Sequence, residues 1–283
     1  MSDKHQYFES HDGLKLLYQD FGSGQSGTPV ICLPGLTRNS RDFEDLAERL
    51  RARRRVLTID FRGRGYSDYD ANWNNYHPGT YVQDVWTLLD QLGIDSVIVV
   101  GTSLGGLCAM RMARGRPQRI AGVVLNDVGP EIDPAGLARV KAYAGRHGPV
   151  KTHAEAVQQV KDTYGEWLPG LSDADWDRMV WKAYRTDENG VPRLDFDPNI
   201  GRAVREVGAQ TDDPWQAFAG LAGVPTTLLW GVRSDILTRD IIDKMLAAKP
   251  DLDVVEVPNR GHVPLLDEPE CLAAIDTMLD RIA

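Results

Sequence analysis

The chain has 283 residues, enough to bury a sizeable core as one large domain or as a domain that carries an insertion. Hydrophobic residues make up 42% and charged residues 26%, the ordinary composition of a globular protein, so a fibrous or low-complexity chain is excluded. The net charge of -9 leaves no basic excess to neutralise phosphates, which argues against a nucleic-acid surface and gives no long-range pull on anions.

In chain order, Tyr7-Phe8-Glu9-Ser10 and the run from Leu14 to Phe21 flank His11-Asp12-Gly13. Asp-Gly between two strand-like runs predicts a hairpin. After a Gly/Ser loop at 22–27, Val30-Ile31-Cys32-Leu33 is a short buried strand that ends at Pro34-Gly35-Leu36. Helical spacing follows through Phe43, Leu46, Ala47 and Leu50, and the arginines at 51 and 53–55 read as a solvated helix end, favourable against the helix dipole. Val56-Leu57-Thr58-Ile59-Asp60 is the next strand, and the glycines of Phe61-Arg62-Gly63-Arg64-Gly65-Tyr66-Ser67 mark a tight return, with Asp60 placed to brace it. Val82, Val85, Leu88, Leu89 and Leu92 predict a helix stopped by Gly93.

Val97-Ile98-Val99-Val100 then runs into Gly101-Thr102-Ser103-Leu104-Gly105. Four apolar residues in a row fit a parallel strand buried on both faces, and Leu107, Met110, Met112 and Ala113 read as the helix that follows. Strand, sharp turn and helix within so few residues force the middle residue into a strained backbone, which is a nucleophile elbow with Ser103 at a helix N-terminus. Ile120 to Asp127 is one more buried strand. Alternating strands and helices to this point are the signature of a mostly parallel α/β sheet.

The alternation breaks at about residue 131: stretches 134–147, 152–168 and 172–186 read as helices with no strand between them. Asp197-Pro198 reads as a turn, and Trp167, Trp176, Trp181 and Trp215 fall in or near this block as core residues or pocket walls. The strand Pro225 to Gly231, a helix at 238–248, the strand Val254-Val255-Glu256-Val257 and a last helix from about Pro269 to Ile282 resume the α/β pattern, so the helical block is inserted rather than appended.

A serine hydroxyl is a poor nucleophile until a base within hydrogen-bond reach takes its proton, and the base needs an orienting carboxylate. Open α/β sheets collect reactive groups beyond the carboxyl ends of their strands. Two late strands deliver candidates there: Asp235 follows Leu228-Leu229-Trp230-Gly231, and His262 follows Val254-Val255-Glu256-Val257. The order Ser103, Asp235, His262 matches the chain order of such a triad. Asp127, also past a strand end, is the rival acid and reads instead as a cap on the turn before Gly129-Pro130. His5, His11, His77, His147 and His153 read as surface histidines.

Gly101-Thr102-Ser103-Leu104-Gly105, Asp60 to Ser67, Gly231-Val232-Arg233-Ser234-Asp235 and Arg260-Gly261-His262 together resemble the α/β-hydrolase superfamily over nearly the whole chain. The resemblance implies an α/β-hydrolase fold, a mostly parallel twisted sheet flanked by helices, with a core of residues 1–130 and 220–283 and a helical cap at 131–219. It implies Ser103 as nucleophile, His262 as base, Asp235 as its orienting acid, and the backbone N–H groups of Leu36 and Leu104 as oxyanion hole. Pro34-Gly35 stands where the family usually has His-Gly, and the expected donor Leu36 keeps its N–H.

A serine nucleophile disfavours epoxide opening and halide displacement, which family members perform with a carboxylate. Hydrolysis of a carboxylic ester or lactone with a partly apolar acyl group is the first expectation. Carbon–carbon bond hydrolysis of aromatic ring-cleavage products is the alternative, weakened by Val263 where those enzymes place tryptophan. A non-catalytic small-ligand binder of the same fold is the reading from another class. The partner is a small-molecule substrate, with neither nucleic acid nor membrane expected. No cofactor or metal is implied, because the chain has no phosphate loop, nicotinamide fingerprint or metal-ligand spacing. Cys32, Cys108 and Cys271 are scattered and odd in number, so they read as small buried hydrophobes. Met1-Ser2-Asp3-Lys4-His5 lacks the apolar core of a signal peptide, and no apolar run is long enough for a bilayer, so a cytoplasmic location is expected.

Overall fold

The computed structural model describes residues 5–144, 148–206 and 213–282. A hairpin of β1 (His5–Glu9) and β2 (Lys15–Phe21) is followed by β3 (Val30–Leu33), α1 (Glu44–Leu50), β4 (Val56–Ile59), α2 (Pro78–Gln91), β5 (Val97–Thr102), α3 (Leu104–Gly115) and β6 (Ile120–Asn126). Next come α4 (Pro134–Tyr143), α5 (His153–Tyr164), α6 (Asp173–Ala183), β7 (Tyr184–Thr186), β8 (Pro192–Leu194), α7 (Asn199–Glu206) and α8 (Pro214–Ala219). The chain closes with β9 (Thr226–Gly231), α9 (Arg239–Ala248), β10 (Asp253–Val257) and α10 (Pro269–Arg281).

Eight strands form one sheet in the order β1-β2-β4-β3-β5-β6-β9-β10. β1 and β2 pair antiparallel, β2 joins β4 antiparallel, and every later pairing is parallel. The apolar runs Val30–Leu33 in β3 and Val97-Ile98-Val99-Val100 in β5 are explained by cover on both faces. Ile31, Leu57, Val97 and Val99 pack on one side with residues of α2, α3, α8 and α9, such as Val85, Met112, Phe218 and Ile242. Val30, Cys32, Val56, Ile98 and Val100 pack on the other with α1 and α10, through Leu46, Leu50, Ile275 and Met278. The arginines after α1 hold α10 in place: Arg53 pairs with Asp276 and Asp280, and Arg54 donates to the carbonyls of Leu279 and Ile282.

The segment between β6 and β9 has its own small core, built on Val160, Leu168, Trp176, Met179 and Tyr184. Two expectations change here. The helix expected over 172–186 ends at Ala183, and the chain enters a two-stranded hairpin of β7 and β8, where no strand was expected. The turn is held by Asp187, whose Oδ1 accepts from the N–H groups of Asn189 and Val191, and Asn189-Gly190 is its sequence signal. α4 begins as expected at Pro134, whereas His147 and the end of the stretch 134–147 lie outside the described residues. Among the described residues no helix is long and apolar enough to cross a membrane.

Candidate active site

β5 ends at Thr102 and α3 begins at Leu104, so Ser103 alone makes the turn, with φ 51° and ψ -112°. That left-handed backbone is costly for a residue with a Cβ and is sustained by what surrounds it. A Cβ on Gly105 would lie 2.0 Å from the carbonyl oxygen of Leu33, and one on Gly101 would lie 2.6 Å from the backbone of Gly105. Strand and helix close at this angle only because both positions lack a side chain.

β6 lies beside β5 in parallel, with Thr102 opposite Asn126. The next residue on each strand, Ser103 and Asp127, therefore leaves the sheet at the same edge. Asp127 is fully buried, also with a left-handed backbone at φ 53°. Its carboxylate accepts three donors: the N–H of Gly231 at 3.0 Å on Oδ1, and Ser234 Oγ at 2.6 Å and His262 Nδ1 at 2.8 Å on Oδ2. On the far side of the imidazole, His262 Nε2 lies 3.0 Å from Ser103 Oγ. The carboxylate accepts, so Nδ1 carries the proton of a neutral ring and Nε2 is left to accept from the serine hydroxyl.

His262 arrives on the loop after β10. Glu268 ties that loop by accepting from the N–H groups of Leu265 and Leu266 and from Arg260 Nε. Asn126 ties it to the sheet, its Nδ2 donating to Pro264 O at 3.0 Å and to Thr102 Oγ1 at 3.1 Å.

The structure brings Asp127, and not the expected Asp235, against His262. Asp235 does not meet His262; its carboxylate takes a two-pronged pair from Arg139 on α4, at 2.5 Å from Nε and 2.8 Å from Nη2. The reason is the order of the sheet. β6 adjoins β5, whereas β9 is one strand further out, and the four residues after Gly231, ending at Asp235, carry the chain to Arg139 on α4. Ser234, which sequence reasoning passed over, stays behind to bond Asp127. Asp127 was visible in the sequence as a rival; nothing there placed β6 next to β5.

Leu36 and Leu104 flank this site, Leu36 in the turn after β3 and Leu104 as the first residue of α3. Among the described residues neither N–H donates to a protein acceptor. The amide of Leu104 also lies at the positive end of a helix.

A cleft opens over Ser103 and His262. Leu36, Leu168, Met179, Leu265 and Leu266 give it apolar walls, and none of the four tryptophans of the inserted region lines it. Trp176 is packed in the inserted segment's core, and Trp181 is 51% exposed. The cleft also has charged walls that the sequence did not predict. Arg38 is paired to Asp42, and Arg178 and Lys182 are paired to Asp45. Asp42 is pulled below the usual carboxylate range: burial opposes its charge, and Arg38, Lys182 and Arg41 outweigh that.

Other reactive groups are spoken for. The three cysteines are buried and free; burial pushes the Cys108 thiol up to about 12 and the Cys32 thiol well above its ordinary value. One trio among the described residues, His11, Asp12 and Asp84, has the spacing of a metal site. Arg62 occupies both carboxylates with hydrogen bonds of 2.6–3.0 Å, which makes the trio an ion-pair network.

Comparison with known proteins gives a consistent picture. The alpha/beta hydrolase fold family matches residues 28–269. The 3-hydroxybutyrate-oligomer hydrolase of Cupriavidus necator is 30% identical over 270 residues, covering 92% of this chain and 90% of its own. The 2-(acetamidomethylene)succinate hydrolase of Mesorhizobium japonicum is 27% identical over 256 residues, covering 90% of this chain and 89% of its own. The crystal structure of an alpha/beta hydrolase from Novosphingobium aromaticivorans superposes with a TM-score of 0.91 at 41% identity, covering 99% of both chains.

Proposed function

The chain belongs to the α/β-hydrolase family and is a hydrolase, and within that family we propose a serine esterase that works through an acyl-enzyme on Ser103. The observation that carries this reading is the unbroken chain of hydrogen bonds from Ser103 through His262 to Asp127. Ser103 Oγ attacks the ester carbonyl carbon as its proton passes to His262 Nε2. Asp127 holds the ring and stabilises the imidazolium, and the amides of Leu36 and Leu104 take the oxyanion. Collapse of the tetrahedral adduct breaks the ester C–O bond, and His262 gives its proton to the departing alkoxide. Water then repeats the sequence on the acyl-enzyme, releasing the acid and restoring Ser103.

The substrate class we assign is a short aliphatic carboxylic ester, with an oligoester of a hydroxy acid as the natural form. Apolar walls beside Ser103 suit a short acyl chain, and the neighbouring cations are engaged with carboxylates, so a neutral ester link fits without breaking ion pairs. The name of the Cupriavidus relative denotes an oligomer whose units are joined by ester bonds, which points the same way. In this reading residues 131–219 act as a cap that encloses the acyl chain. The test is turnover of p-nitrophenyl butyrate and of a 3-hydroxybutyrate dimer by the wild type, absent in Ser103→Ala. Binding of such esters without turnover would favour a receptor, and turnover retained by Ser103→Ala would refute the assignment.

A further inference from the structure

In the wall of the cleft stands a carboxamide with one atom unpaired. Asn126 ends β6, is fully buried, and lines the cleft together with Thr102, Ser103 and His262. Its Nδ2 donates to Pro264 O at 3.0 Å and to Thr102 Oγ1 at 3.1 Å. A carbonyl oxygen only accepts, so the bond to Pro264 fixes which end of the amide is nitrogen. Oδ1 is left with no hydrogen-bond partner among the described residues. A buried acceptor that has given up water and gained no donor is costly, and such atoms are few in folded proteins.

The neighbouring hydroxyl is unpaired in the opposite sense. Thr102 Oγ1 accepts from Asn126, and among the described residues its own proton goes to no acceptor. Thr102 and Asn126 are register partners in parallel strands, so their side chains leave the same face of the sheet. That face is the one covered by α1 and α10, because Val100 and Val124, two residues earlier on each strand, pack there. Phe43 and Leu266 belong to the same apolar cluster and also line the cleft. The cleft therefore extends from Ser103 toward that face, where an acceptor and a donor stand on neighbouring strands.

We propose that Asn126 Oδ1 and the Thr102 hydroxyl form a subsite for a hydroxyl group on the acid part of the ester, so that a hydroxyacyl ester is preferred to the plain one. Ester oxygens only accept and leave Oδ1 unmatched, whereas a hydroxyl gives its proton to Oδ1 and accepts from Thr102 Oγ1. Thr102 directly precedes Ser103, the residue that takes the acyl group, so the subsite serves a hydroxyl close to the carbonyl, as on the third carbon of a 3-hydroxyacyl unit. This role rests on the serine-hydrolase reading and supplies the contact by which the hydroxy acid would be recognised.

The experiment follows acid release from methyl butyrate and from each enantiomer of methyl 3-hydroxybutyrate by wild type, Asn126→Leu and Thr102→Val. Wild type is expected to favour one enantiomer of the hydroxy ester over methyl butyrate by about tenfold in kcat/KM, the scale of the hydrogen bonds gained. Each variant is expected to bring that ratio to within about twofold of one. Loss of the tie to Pro264 in Asn126→Leu slows both esters alike and cancels in the ratio. Thr102→Val keeps that tie, and it decides the matter where Asn126→Leu does not fold. A wild-type ratio near one would overturn the subsite. So would a ratio that either folded variant leaves unchanged, the result expected if only water bonds Oδ1. Wild type that hydrolyses none of these esters would sink the hydrolase reading itself, whereas equal hydrolysis of all of them would sink only the subsite.

Discussion

Ser103, Asp127 and His262 come from three loops at one edge of the sheet, and which carboxylate meets His262 is set by geometry that composition does not carry. The elbow around Ser103 was legible because its glycines and the strand before it are local features, and His262 because it follows a strand end closely. Asp127 and Asp235 both follow strand ends, so local pattern left two candidates. The parallel register of β5 with β6 brings Asp127 beside Ser103, and Arg139 takes Asp235. The expected consequence is a crossover: Asp127→Asn loses on the order of 10⁴ in kcat, by analogy with the acid of serine proteases, while Asp235→Asn keeps kcat within about threefold. Steady-state kinetics on p-nitrophenyl butyrate with both variants checks this, and the reverse ordering would restore Asp235 as the acid. Ser234 is the next residue to test. Its Oγ accepts from the N–H groups of Ile236 and Leu237, at 3.2 and 3.1 Å, which directs its own proton to Asp127. Ser234→Ala is expected to lower kcat about tenfold, the scale of one lost hydrogen bond to a charged group, and Ser234→Thr to recover most of it.

The elements that position the site were legible where periodicity is strong. β3, β4, β5 and β6 are mostly apolar and buried, and the helices between them keep a regular apolar spacing. The β7–β8 hairpin escaped because its strands have three residues each and lean on a helix whose pattern runs straight into them. Two outcomes belong at this scale. Gly105→Ala sets a methyl group against the backbone of β3, where the obstacle is a carbonyl and not a flexible side chain; it is expected to cost ~3 kcal/mol or prevent folding, read by urea unfolding. Arg139→Met removes the pair that fastens α4 to the loop after β9. Because that pair joins α4 to the loop after β9 and the adjacent Val140 lines the cleft, KM for the ester is expected to rise a few-fold with kcat little changed. A loss in kcat alone would instead show that α4 acts on the triad.

At the scale of the whole molecule, many charges stand in paired networks, and in a chain with a net charge of -9 the fully buried Arg62 has three carboxylate partners. The Arg62 network joins the β1–β2 hairpin to α2. The hydrogen bond from Arg62, helped by one from Ser10, holds the Asp12 carboxyl well below its ordinary value of 3.8. A carboxylate with a depressed folded pKa contributes stability that is present above the unfolded value and lost as pH falls below it. Burial raises Asp84 in the same network, which acts with the opposite sign, so the contribution of Asp12 is read by difference. Urea unfolding at pH 5 and pH 3 should show the wild type losing more stability than Asp12→Asn; equal losses would remove Asp12 from the account. Yet the networks support a site whose central claim is chemical, that Ser103 becomes an acylated nucleophile driven by His262 and Asp127. The most direct measurement treats the wild type, Ser103→Ala and Asp127→Asn with a fluorophosphonate and locates the label by peptide mass spectrometry. The expected result is one phosphonyl group on the peptide that holds Ser103, absent in Ser103→Ala and formed far more slowly in Asp127→Asn. Label on another residue, or Asp127→Asn reacting as fast as wild type, would contradict it.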